Sequence, residues 1–482
     1  MDATITDHPP GDPWYLKLRN VGRARRLPKR CGPATPVGSG RRAATAETRQ
    51  GPPDVWRNRD FGFLLGGQVV SSVGDQVQNL ALPLVVLALS GSATQAGVTL
   101  GLNTAAFLLF GPVAGALADR RDRKTMMIWC EAGRGLLATS VAVALVLRRL
   151  TLPQLYLVAV ATGILTTIFQ TANTAALPNV VGPAQVPTAL GYTQSAFSAV
   201  RVFGASLAGL AYSLGQVVPF AANAASFAVS AATLRLMRTQ FQEHRVTRAG
   251  KLTAEIRAGL AWAWRHPVIR FLTMVQAADN IRFGAGYLVI ILLARRLGAT
   301  ALVIGAIFSG AAIGTVLGSL AADRITRRYP LGRIAVLMLW VEASAFPLYA
   351  VVRSPLLLGV VAAAESLVAP VYTIAMTTYR LSIVPDAMRG RITAAATTLT
   401  TGAISVGAIG GSVLLAAIGP RSVVLVSTAW LLALAIVTTA HRAVRHAPVA
   451  VAAARQPRPD TSTARQRQPG QGEGAQQAGA AR

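Results

Sequence analysis

Apolar runs of about 20 residues, separated by short polar turns, recur along this chain from about residue 60 to about residue 440. A run of about 18 apolar residues is already long enough to cross a bilayer as a helix. Twelve spans are predicted. They cover about 60–89, 94–118, 125–147, 152–176, 187–212, 217–238, 268–294, 300–322, 333–352, 355–379, 392–418 and 420–440. The pattern predicts an all-α integral membrane protein.

One polar turn occurs twice. Residues 115–124 read GALADRRDRK and residues 318–328 read GSLAADRITRR. Asp119 and Asp323 lie 204 positions apart, close to half of the membrane-embedded length. A duplicated charge-dense turn between apolar spans predicts two pseudo-symmetric six-helix halves joined as parallel repeats.

Composition agrees: hydrophobic residues make up 52% of the 482 positions and charged residues 14%. The net charge of +28 resides in turns and tails. No basic patch is interleaved with aromatics as in a nucleic-acid-binding module, so no nucleic-acid partner is expected. About 38 of the 47 Lys and Arg fall on one side of the membrane if both chain ends share that side. The opposite loops hold six: Arg148, Arg149, Arg295, Arg296, Arg353 and Arg421. The positive-inside rule then makes the rich side cytosolic. Arginine outnumbers lysine, which suggests a GC-rich bacterial genome and hence a multi-pass protein of the bacterial cytoplasmic membrane.

The chain divides into a basic tail (1–55), a first half (56–238), a connection (239–267), a second half (268–442) and a second tail (443–482). Both tails are polar and are expected to be disordered and cytosolic. A translation start near Val55 is the alternative for the first. In the connection, Leu252, Ile256, Leu260 and Trp264 recur every four residues, predicting an amphipathic helix at the cytosolic interface. Cys31 and Cys130 show no disulfide or metal pattern, and the five histidines fall in tails or connections. No phosphate loop, nucleophile elbow or HExxH motif is present. Neither an enzyme nor a metal site or cofactor is expected.

At Gly115, Asp119, Arg120, Arg123 and Lys124 the first turn resembles the signature of the major facilitator superfamily, with Asp122 where that family usually has glycine. The second copy, with Asp323 and Arg324, is degenerate. The stretches WRNRDFGFLLGGQVVSSVGDQ, WAWRHPVIRF and VPDAMRGRI resemble the bacterial exporters that include the enterobactin exporter and macrolide efflux proteins. The resemblance covers about residues 55–442. It implies a monomeric secondary transporter with a central site and alternating access. The expected partners are protons, the lipid bilayer and a small amphipathic molecule such as a drug, siderophore or secondary metabolite. Uptake by the same fold, or a transport-inactive sensor, remain alternatives. Two departures stand out. The fourth span carries no arginine, and Gly204-Ala205 replaces the Gly-Pro of well-known drug–proton antiporters.

Charges near the bilayer midplane cost at least about 2.5–3.5 kcal/mol on insertion scales, so each is a functional candidate. Asp75, in the first span, is the first choice for proton coupling, followed by Asp279, Glu131 and Glu365. Asp75 and Asp279 each precede the aspartate of their own repeat's turn by 44 residues. The resemblance implies that their spans line the cavity. Glu131/Arg134 and Asp279/Arg282 are spaced to neutralise one another on one helix face. Gln76, Asn79, Asn103, Arg201 and Arg282 are the candidate cavity contacts. Arg201 either meets an anionic substrate or pairs with a carboxylate of another span. The charged turn is expected to gate the cytosolic side through Asp119 facing the eleventh span, or only to fix orientation. Gly310, Gly314 and Gly318, and Gly111 and Gly115, predict close helix packing.

Overall fold

The computed structural model describes residues 55–182, 185–239, 241, 261, 264–384, 389–441 and 444. The predicted tails, most of the amphipathic connection and the side chain of Asp119 lie outside the described residues. Among the described residues, a short 3-10 helix, Val55–Arg57, precedes thirteen α-helices. The first six are α1 (Arg59–Ser90), α2 (Ala93–Arg120), α3 (Arg123–Val146), α4 (Leu152–Val181), α5 (Val186–Leu214) and α6 (Val218–Leu236). The second half comprises α7 (Pro267–Arg296), α8 (Ala301–Arg328), α9 (Leu331–Ala345), α10 (Leu348–Val351), α11 (Pro355–Ser366), α12 (Ala369–Ile383) and α13 (Arg389–Ala440).

Local chemistry sets these ends. Asn58, Ser92, Asp122, Thr300 and Ser354 cap α1, α2, α3, α8 and α11 with side-chain oxygens, satisfying otherwise orphaned N–H groups. Proline stands in the first turn of α4, α5, α6 and α7, where its missing N–H costs nothing. Ten stretches among the described residues are long and apolar enough to cross a membrane. One of these continues through α13, which is broken at Gly419 (φ 76°, ψ 166°) ahead of Pro420. Only glycine enters that conformation without strain. The break separates the eleventh and twelfth passes. The remaining pass is α6, made less apolar by Asn223, Ser226, Ser230 and Thr233. The ninth pass is interrupted near Pro347 and the tenth near Leu367. The all-α reading and its twelve passes hold.

Packing repeats between the halves. In the first, α1 packs on α5 and α6, α2 on α4, and α3 on α6. In the second, α7 packs on the first part of α13, where a Cβ on Gly284 would lie 2.2 Å from the Ile404 carbonyl. The eighth pass packs on the tenth: a Cβ on Gly314 or Gly318 would lie 2.1 or 2.0 Å from the carbonyl of Ala363 or Leu367. These glycines therefore serve internal contacts, whereas Gly111 and Gly115 face open space. Trp340 of α9 donates to Thr439 near the end of α13 at 3.1 Å.

The halves meet through α2 with α13 and α5 with α8. Gly97 faces Ser412, Gly209 faces Ala301, and Ser206 and Ser309 hydroxyls bond at 2.8 Å. All these residues lie toward the end opposite the charged turns. There a single apolar core spans both halves, from Leu80–Leu87 and Phe220 to Leu288, Ile304, Leu358 and Val424. At the turn-bearing end each half keeps its own core, around Phe61, Met127 and Leu234 in one and Leu272, Leu331 and Met376 in the other. The molecule is therefore joined at one end and divided at the other.

Candidate functional site

A cavity of about 530 Å³ penetrates the first half from the turn-bearing side. Its polar floor is one face of α1, where Gln68, Ser72, Asp75, Gln76 and Asn79 follow helical spacing. Pro83 lies four residues beyond Asn79 and deprives that carbonyl of its helical donor. Asn173 of α4 holds Gln68 through a 2.6 Å bond. Asn103 donates to the Ala159 carbonyl at 3.1 Å. Gln76 packs where a side chain on Gly204 would collide with it. Arg201 lines the cavity and is exposed.

Asp75 is ion-paired. Arg134 Nη2 of α3 donates to Asp75 Oδ2. The arginine is 3% exposed while the Asp75 side chain keeps 31%. Glu131 is fully buried on the other side of Arg134, with Oε2 at 3.7 Å from Nη1. Its Oε1 accepts from Ser230 (3.0 Å) and Ser71 (3.4 Å), while Oε2 has no hydrogen bond. The guanidinium also lies 4.2 Å from the Phe227 ring centre. The expected Glu131/Arg134 neighbours do meet, but the shorter contact is with Asp75 from another helix.

Arg282, expected at the substrate cavity, is consumed elsewhere. It is 6% exposed in the second half. Its Nε donates to Asp279 (2.9 Å), Nη1 to Glu365 (2.6 Å) and Nη2 to Glu342 (3.3 Å). Tyr349 donates to the other oxygen of Glu365 at 2.6 Å, and Phe346 stacks on the guanidinium at 4.9 Å. Asp279 and Glu365 thus share one buried cluster, and neither lines the cavity of the first half. Sequence reasoning gave Tyr349 and Phe346 no role. Their spacing to Arg282 carries no signal, because ninth and tenth passes reach it only through tertiary packing.

The first charged turn has a clear local role. Arg123 donates to the Ala118 and Ala175 carbonyls (3.3 and 2.8 Å), and Lys124 to the Met237 carbonyl (2.6 Å). These cations close the carboxyl ends of α2, α4 and α6, where partial negative charge collects. Asp60 complements them: its Oδ2 accepts the Arg238 and Thr239 N–H groups at 3.0 and 2.7 Å. Arg120 and Arg324 are exposed, and Asp323 forms an exposed pair with Arg327 at 2.9 Å. Arg123 is thus taken up by backbone carbonyls of its own half. Among the described residues no group of His, Cys, Asp and Glu is placed to hold a metal ion.

Residues 64–278 match the sequence profile of the Major Facilitator Superfamily. The uncharacterized MFS-type transporter YfiS of Bacillus subtilis is 30% identical over 213 residues, 43% of this chain and 49% of that protein. Macrolide efflux protein A of Streptococcus pyogenes is 28% identical over 160 residues, 33% of this chain and 39% of that protein. The chain thus spans about half the length, or less, of these relatives. A bacterial homologue of the iron transporter ferroportin, in its inward-facing state, superposes with a TM-score of 0.65 at 16% identity. That alignment covers 79% of this chain and 98% of the homologue. The outward-facing structure of that homologue gives 0.55. Over residues 64–278 the chain is similar to the Major Facilitator Superfamily, and its twelve passes and duplicated turn fit that fold. These two relatives are named as an MFS-type transporter and as a macrolide efflux protein.

Proposed function

We propose that this protein is a secondary active transporter that exports a small amphipathic organic molecule by proton antiport through alternating access. The observation that carries the reading is the cavity that opens where the halves are divided and ends at the Asp75–Arg134 pair. The basic-residue bias makes that open side cytosolic. A substrate can then enter from the cytosol and leave when the joined end parts. The higher similarity to an inward-facing structure than to its outward-facing counterpart supports this assignment. The polar face of α1 and the exposed Arg201 suit an amphipath with hydrogen-bonding groups. The efflux direction rests on the exporter-like stretches of the sequence and on the macrolide efflux relative.

In this proposal Asp75 carries the proton. It is the acid of its cluster that opens to the cavity. Protonation frees Arg134, which turns to Glu131, whose unbonded Oε2 already lies 3.7 Å away. The guanidinium thus never stands uncompensated in the bilayer, where a lone charge is costly. The test is uptake of a radiolabelled macrolide into everted vesicles under an imposed proton gradient. Wild-type protein should accumulate it, and Asp75→Asn should abolish gradient-driven uptake while leaving binding largely intact. Normal coupling in Asp75→Asn would sink the role of Asp75; no uptake by wild-type protein would sink macrolide export.

Orientation is tested separately. Single cysteines replacing Gly91, Leu150 or Thr300 should react with an impermeant reagent added outside cells, and one replacing Thr247 should not. Labelling at Thr247 in intact cells would overturn the topology, including a cytosolic 239–267 connection and cytosolic tails.

A further inference from the structure

The second half repeats the constellation of the first with one acid more. In each half the first helix supplies an aspartate (Asp75 or Asp279), the third pass a glutamate (Glu131 or Glu342), and one arginine lies between them over a phenylalanine ring. Glu365, from the tenth pass, is the addition. Three ionised carboxylates around one guanidinium would leave two uncompensated negative charges within the membrane-embedded bundle. Arg282 and Glu342 are 6% and 1% exposed and Asp279 7%. Desolvation of unpaired charge in such a place costs several kcal/mol per ion, so protons must bring the cluster toward neutrality.

Geometry indicates where the first proton sits. Both Glu365 oxygens accept, one from Arg282 and one from Tyr349, which suits an ionised carboxylate. Asp279 receives the Nε–H of Arg282 at 2.9 Å. Glu342 has the longest contact with Arg282, 3.3 Å, and is the most buried of the three. The other facing groups are accounted for. Tyr372 of α12 donates to the Leu272 carbonyl, and Arg380 engages Thr273 and Gln276. The membrane-embedded part of α13 holds no titratable side chain between Ile392 and Pro420.

We propose that Glu342 holds a proton, and that the second half thereby carries a proton-binding site distinct from Asp75. This site is closed off from the cavity of the first half. Its place in a transport cycle rests on the proton-antiport reading, but its occupancy does not. Infrared difference spectra of the purified full-length protein in nanodiscs, in H₂O and D₂O at neutral pH, test the occupancy without transport. Wild-type protein should show a protonated-carboxyl C=O band that shifts in D₂O. Glu342→Gln should lose it, Glu342→Asp should shift it, and Asp75→Asn should keep it. Absence of the band in wild-type protein overturns the proposal. So does a band unmoved in both Glu342 variants. If everted vesicles show no proton-driven uptake while the band behaves as expected, the antiport reading fails and the proton site stands.

Discussion

Arg282→Leu is expected to leave little folded protein in the membrane. The guanidinium is the shared partner of Asp279, Glu342 and Glu365, and all three contacts are buried. Removing one partner of a buried ion pair costs about 3–5 kcal/mol, because the charge left behind has neither water nor a counter-ion. Here two or more acids would be stranded, and a typical domain has only about 5–15 kcal/mol of stability to lose. The measurement is the yield of monodisperse protein and its melting temperature in detergent. Stranded charge, rather than lost packing, is the stated cause. Adding Asp279→Asn and Glu365→Gln to Arg282→Leu should therefore recover much of the loss. If Arg282→Leu melts like wild type, or the triple variant is no better than the single one, charge does not hold this cluster together.

Gly305→Leu should force the halves apart at their joined end. A Cβ at position 305 would lie 2.4 Å from the Ala205 carbonyl and 3.1 Å from the backbone of Gly209. Backbone atoms cannot swing aside, so α5 and α8 must separate. Overpacking of this kind costs about 1–3 kcal/mol. That disfavours the closed joint by roughly 5- to 140-fold, since each 1.4 kcal/mol is a factor of ten. A cysteine at Ser72, inside the cavity, should then react faster with a thiol reagent added outside, and vectorial transport should fall by a similar factor. Gly111→Ala, where the added atom meets nothing within 4 Å, is the control and should change neither. Wild-type labelling in Gly305→Leu would show that this joint does not open during the cycle.

The opposite end teaches a different lesson about the charged turn. Its sequence stands out, and a role between the halves was expected of it. Among the described residues Arg123 and Lys124 bond carbonyls of their own half. Among the described residues the halves keep separate cores at that end.

Membrane insertion acts on runs of residues, and for that reason the chain's broad architecture is visible in one dimension. Twenty apolar residues must become a helix in lipid, since no water is present to satisfy the backbone. A glycine–proline pair at 419–420 must break a 52-residue helix, and a duplicated turn betrays a duplicated half. Asp75, Glu131, Asp279 and Glu365 were legible as candidates for the same reason: a charge in an apolar run is conspicuous. Their partners were not. Local spacing joined Arg134 to Glu131 and Arg282 to Asp279, three residues away. Packing of helices from distant stretches instead gave Arg134 its shorter contact with Asp75 and surrounded Arg282 with Glu342, Glu365 and Tyr349. Periodicity fixes which face of a helix a side chain is on. Which other helix that face meets, and hence which charges neutralise one another, is decided only when the bundle closes.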